Sequence, residues 1–106
     1  MERICFVLEV RPDGVEEYRR LHDAVWDEMR AALTASGWQN YSLFLRDDGL
    51  LVGYLECDDF EAARAAMEVT EVNARWQAEV GHLFVSLHGQ RADQAMTPLA
   101  EVFHLP

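Results

Sequence analysis

Tyr18-Arg19-Arg20-Leu21-His22-Asp23-Ala24-Val25-Trp26 is the stretch around which the chain is organised. Read as a helix, it places Val15, Tyr18, His22, Val25, Met29 and Ala32 three and four apart, so that they share one stripe. Such a stripe normally packs against a sheet. Asp13, with Glu16 three residues on, has capping-box spacing and predicts where the helix starts. Ser36-Gly37 predicts its end, at about Ala35. The stripe carries an imidazole at its centre, with Tyr18 one turn before it and Trp26 one turn after it. His22 is therefore either a satisfied core residue or a chemical group held in a pocket. Helical spacing alone favours packing.

Working outward, residues 3–10 read as a strand. Ile4, Phe6, Leu8 and Val10 fall on one face, and Cys5, Val7 and Glu9 on the other. Pro12 stops this strand. Beyond the helix, residues 40–45 form a second strand and residues 50–57 a third. Arg46-Asp47-Asp48-Gly49 supplies the turn that makes them a hairpin. Asp58 with Glu61 repeats the capping-box spacing, and Phe60, Ala63 and Met67 give a short apolar stripe. Thr70 restarts the helix, which Val72, Trp76, Val80 and Leu83 carry on to near Leu87. Gly89 to Pro98 is polar and loop-like, and residues 99–105 predict a last strand. The order β-α-β-β-α-β over a single domain, residues 1–106, is that of an α+β ferredoxin-like sandwich: a four-stranded antiparallel sheet with helices on one face. Strand three has apolar residues on both faces, Leu51 and Leu55 on one and Leu50, Val52 and Tyr54 on the other. The face without helices would be a large apolar patch. The economical cover is a second copy, two sheets face to face in a homodimer.

Charge narrows the function. The 106 residues carry 19 acids against 9 arginines and no lysine, a net charge of -10. Nucleic-acid binding rests on neutralising phosphates, so this balance argues against it. It also disfavours an anionic membrane surface or anionic substrate, and a small neutral ligand fits best. No apolar run approaches the ~20 residues that cross a bilayer. The start, Met1-Glu2-Arg3-Ile4, reads as strand rather than signal peptide, which leads us to expect a cytoplasmic protein. Cys5 and Cys57 then read as buried thiols rather than a disulfide or a metal pair.

No serine or cysteine lies in a recognisable nucleophile motif. His82 and His88 are six apart without an HExxH pattern, so no metal site is expected, and His104 reads as an edge residue. Asp47-Asp48 and Asp58-Asp59 have ordinary work in turns and caps. The aromatic set says more. Tyr18, His22, Trp26, Tyr41, Tyr54 and Trp76 can converge on one helix–sheet cleft. A sugar ring offers C–H faces to indole and hydroxyls to phenol and imidazole. A histidine near its usual pKa of ~6.5 exchanges protons at neutral pH. The same aromatics would equally serve to fill a core.

The chain resembles the L-rhamnose mutarotase family. Phe6-Val7-Leu8-Glu9-Val10, Glu17-Tyr18-Arg19-Arg20-Leu21-His22 with Trp26, and Asn40-Tyr41-Ser42-Leu43-Phe44 carry the resemblance. Asn73-Ala74-Arg75-Trp76 and the ending Glu101-Val102-Phe103-His104-Leu105-Pro106 extend it over nearly the whole length. The resemblance implies a dimeric α+β barrel and interconversion of the α and β anomers of L-rhamnose without a cofactor; the alternatives are a non-catalytic small-ligand-binding dimer using the same cleft and a cofactor-free monooxygenase of the dimeric α+β-barrel type. By the same resemblance His22 is the proton donor, and Tyr18, Tyr41 and Trp76 contact the sugar. The chain departs from the pattern at Gln77, where some members have a second tryptophan. An amide there can bond a hydroxyl but cannot stack.

Overall fold

In the computed structural model, which describes all 106 residues, β1 (Glu2–Glu9) and β3 (Leu50–Cys57) form the centre of the sheet. They pair antiparallel with Phe6 opposite Gly53. That glycine is required by packing: a Cβ there would come within 2.2 Å of the Phe6 ring, which lies across β3. β2 (Gln39–Leu45) joins β3 through the expected turn, closed by Gly49 N–H donating to the Arg46 carbonyl at 2.9 Å. Gly49 adopts φ +103°, the left-handed region that glycine favours. A short β4 (Thr97–Pro98) completes the sheet order β2-β3-β1-β4, the ferredoxin-like topology.

The helical layer comprises α1 (Val15–His22), α2 (Asp27–Ala35), α3 (Phe60–Glu68) and α4 (Glu71–Val80). The expected single helix from Asp13 to Ala35 is broken after His22. Asp23 N–H still bonds the Arg19 and Arg20 carbonyls, but Trp26 is extended at φ −55°, ψ 137°. Val25 and Trp26 have crowded side chains that lose rotamer freedom in a helix. The break lets the Trp26 ring meet Trp76 edge-on, 5.0 Å between centroids. At the start of α1, Asp13 does not cap. It lies in a 3-10 turn, Pro12–Gly14, and pairs with Arg11 at 2.9 Å. Asp59, rather than Asp58, caps α3, its carboxylate accepting from Ala62 N–H at 3.2 Å while Glu61 pairs with Arg64. Thr70 caps α4 as expected, accepting from Asn73 N–H at 3.3 Å.

Two further expectations are corrected. α4 stops at Val80 and does not reach Leu87, because the next residues are needed beside β1. The Leu83 carbonyl accepts from Arg11 N–H at 2.7 Å, and Phe84 bridges Val10. The last strand is Thr97–Pro98, not 99–105. Pro98 has no N–H for the ladder, and after Leu99 N–H bonds the Cys5 carbonyl at 2.7 Å the tail is held through side chains. Arg3 there meets Glu101 and His104.

Phe6, Leu55 and Cys57 face the helices and form the core with Trp38, Phe60, Ala63, Met67, Val72 and Trp76. The opposite face, with Cys5, Val7, Val52 and Tyr54, is only half-buried, and Phe44 stands 63% exposed on it. No helix is long and apolar enough to cross a membrane.

Candidate active site

Because α1 ends at His22, the imidazole sits at a helix C-terminus, beside the gap that leads into α2. Its Nδ1 lies 2.8 Å from the Tyr18 carbonyl. A carbonyl only accepts, so Nδ1 carries the proton and donates it, and in the neutral ring the lone pair is at Nε2. The ring stacks on Tyr18, with centroids 4.0 Å apart and planes 20° apart, and meets Trp76 edge-on at 5.3 Å. Burial lowers the His22 pKa below its usual value, against the opposing pull of the Tyr18 carbonyl.

A cleft of about 820 Å³ opens between these helices and the sheet. His22, Tyr18, Tyr41, Trp76 and Gln77, all singled out from sequence, line it. The two phenols are held protonated. Burial raises both pKa values, helped at Tyr18 by Tyr41 and at Tyr41 by the negative charge of Asp93. They can give or accept hydrogen bonds but do not ionise at neutral pH. Trp76 is only 6% exposed, wedged between the His22 and Trp26 rings. Its first effect on the site is to hold the imidazole in place.

Two members of the expected aromatic set lie elsewhere. Trp26 braces Trp76 from behind, with the Arg75 guanidinium 5.8 Å over its own ring. Tyr54 is on the opposite face of the sheet, donating to Glu56 at 2.7 Å. The remaining histidines, His82, His88 and His104, do not line the cleft; His82 is bonded to Glu17 at 2.6 Å and His104 to Arg3. Nowhere do three or more His, Cys, Asp or Glu side chains gather closely enough to hold a metal ion. Cys57 is buried as expected, whereas Cys5 is half-buried on the open sheet face.

The cleft has a polar wall that sequence reading passed over. Asp93, in a 3-10 turn (Ala92–Gln94), accepts from Arg91 twice, at 3.0 and 2.7 Å, and from the Asn73 amide at 2.8 Å. Asn73 also donates to the Met67 carbonyl at 3.1 Å. With its NH2 group committed to two acceptors, Asn73 offers its Oδ1 to Gln77, which donates from Nε2 at 3.1 Å. That leaves Gln77 Oε1 as a buried acceptor without a partner. The signal in the sequence was slight: Ala92 and Met96, four apart, are apolar within a polar run and bury beside the cleft.

A family model described as L-rhamnose mutarotase matches residues 3–105. An L-rhamnose mutarotase of Bacillus subtilis is 37% identical, with 99% of each chain covered. One from Acidiphilium cryptum is 36% identical over the whole of both chains. Among solved structures, an L-rhamnose mutarotase from Formosa agariphila superposes with a TM-score of 0.79 at 20% identity over all of both chains, a likeness of fold. The match across residues 3–105, together with relatives of this identity and coverage, places the chain in the L-rhamnose mutarotase family.

Proposed function

We propose that this chain interconverts the α and β anomers of L-rhamnose without a cofactor. His22 is the proton donor of ring opening, and Tyr18, Tyr41, Trp76 and Gln77 hold the sugar. The observation that carries the reading is the state of the imidazole. Its Nδ1 is tied to the Tyr18 carbonyl, its Nε2 is left for chemistry, and it stands in a cleft lined by two protonated phenols.

Opening a pyranose requires a proton placed on the ring oxygen and one removed from the anomeric hydroxyl. The imidazolium gives its Nε2 proton to the ring oxygen as the bond from that oxygen to the anomeric carbon breaks. Electrons of the anomeric O–H bond become the aldehyde C=O, and that proton passes to solvent. The aldehyde turns about the bond to its neighbouring carbon and recloses on its other face. The former ring oxygen's proton returns to Nε2, the new anomeric oxygen takes one from solvent, and no net proton is consumed. A neutral sugar also suits a chain of net charge -10.

The test is saturation-transfer NMR of anomer exchange in L-rhamnose, run beside L-fucose and L-lyxose. Exchange faster than in buffer, with L-rhamnose preferred, supports the reading. Exchange at the buffer rate for every sugar overturns it. The same reading includes a homodimer of the dimeric α+β-barrel kind, joined through the open sheet face.

A further inference from the structure

The Asp93 carboxylate is almost buried, its side chain 11% exposed, and it lines the same cleft as His22. Burying a charge is costly unless it is paired and hydrogen-bonded. Here the pairing is Arg91 on both oxygens and Asn73 on Oδ2. A carboxylate has about four acceptor sites. Two on Oδ2 are taken by Arg91 and Asn73 and one on Oδ1 by Arg91, so the open site is on Oδ1. A structural ion pair on a surface does not require the second anchor from Asn73, a residue 1% exposed in the first turn of α4. That anchor connects the carboxylate to Gln77, one turn further along α4.

We propose that Asp93 contacts the substrate and determines specificity, its Oδ1 accepting one non-anomeric hydroxyl of the sugar. This rests on the sugar-anomer reading above and deepens it. Tyr41 lies close enough to feel the charge of Asp93, and both line the cleft with His22 and Tyr18. The clamp from Arg91 has a chemical consequence. It compensates the negative charge on both oxygens and fixes the direction in which the remaining Oδ1 acceptor site points. Asp93 also acts at a distance. Being unable to donate, it forces Asn73 to present its NH2 group, and that in turn forces Gln77 to turn its own NH2 toward Asn73. The polarity of the amide at position 77 is thus set by a carboxylate two hydrogen bonds away.

The test measures L-rhamnose dissociation constants by NMR titration for the wild type and Asp93→Asn, together with the 2-, 3- and 4-deoxy analogues. Losing one hydrogen bond to a charged group should weaken L-rhamnose binding by roughly 10- to 100-fold. The one analogue that lacks the contacted hydroxyl should lose markedly less affinity on substitution than the other three ligands. A purely structural role would weaken all four ligands equally, and that result overturns the proposal, as does a folded variant that binds L-rhamnose within about twofold of wild type. A second measurement needs no variant: the Asp93 side-chain carboxyl 13C resonance of the wild type should move when L-rhamnose saturates the site. If it stays fixed at saturation, the proposal fails even where Asp93→Asn does not fold. Accelerated anomer exchange in the wild type alongside either negative result leaves the mutarotase reading standing and removes this one. A wild type that neither binds nor exchanges L-rhamnose removes both.

Discussion

Burial and a hydrogen bond pull the His22 proton in opposite directions, and burial is the larger effect. Two expectations of opposite sign follow. The folded pKa lies below the unfolded value of ~6.5, so between those two values the unfolded chain binds more protons. Stability relative to His22→Gln should therefore fall as pH drops through that window and level off below the folded pKa. As the donor, the imidazolium is the active form, so exchange should instead accelerate as pH falls through the folded pKa. Denaturation and exchange measured on the same pH series check both; a rate that rises with pH would make His22 a base. At a fixed pH, His22→Gln should remove a general-acid contribution of typically ~100- to 10,000-fold while the fold persists. Exchange within about twofold of wild type per folded molecule would return the residue to the core. Trp76 tests the neighbouring contact. It is almost buried against both His22 and Trp26, so Trp76→Ala should cost about 3–5 kcal/mol in urea denaturation. It should also slow exchange in the molecules that stay folded, because the imidazole loses its brace and the sugar a contact. Unchanged exchange per folded molecule counts against that role.

At the scale of elements, α4 organises the site, carrying Asn73, Trp76 and Gln77 on one turn and the next. Thr70 starts it, accepting from Asn73 N–H while its hydroxyl donates to the Met67 carbonyl at 2.9 Å. Thr70→Ala should cost about 1 kcal/mol, read as a lower urea midpoint at constant slope. No change in midpoint would mean that the preceding turn holds the helix without its cap. This cap was legible because a threonine before an apolar stripe is a local signal, as were the strand alternation from Ile4 to Val10 and the turn at Arg46–Gly49. The break after His22 was not legible. Val25 and Met29 keep their phase with Tyr18 and His22, so the stripe reads the same whether the helix continues or restarts. The last strand misled for a related reason: a mostly apolar tail after a proline reads as a strand wherever its N–H groups go. Asp93 was missed because its partner Asn73 is 20 residues away, and pairings at that range leave no periodicity. His22, Tyr18, Tyr41 and Trp76 were found because each also fitted a family pattern that spacing alone did not distinguish from core packing.

The whole molecule leaves one sheet face without a cover. Across it Phe44 pairs with Val52 and Val52 with Val7, an apolar row running from β2 to β1 that ends at Thr97 on β4. Beside that row, Ser42 faces Tyr54 and Tyr54 faces Cys5. Exposed apolar groups continue into the tail, with Leu99 51%, Val102 94%, Phe103 78% and Leu105 78% accessible. Sheet and tail together form a patch of the kind that monomers seldom leave in water. A second copy fits it, since a sheet face meeting itself across a two-fold axis matches apolar row to apolar row. Each protomer carries a net charge of -10, so two sheets meeting here would associate against mutual repulsion that salt screens. Light scattering at micromolar concentration should therefore give twice the mass of 12.2 kDa, more completely as salt is added. Phe44→Asp is the decisive variant. The side chain is 63% exposed in the protomer, so the fold should tolerate a carboxylate there. In the dimer the two-fold axis brings in two new carboxylates and takes both out of water, so the variant should scatter as a folded protomer of 12.2 kDa. A wild type that stays at 12.2 kDa at high salt, or a Phe44→Asp protein that still dimerises, would show that something other than a second sheet covers this face.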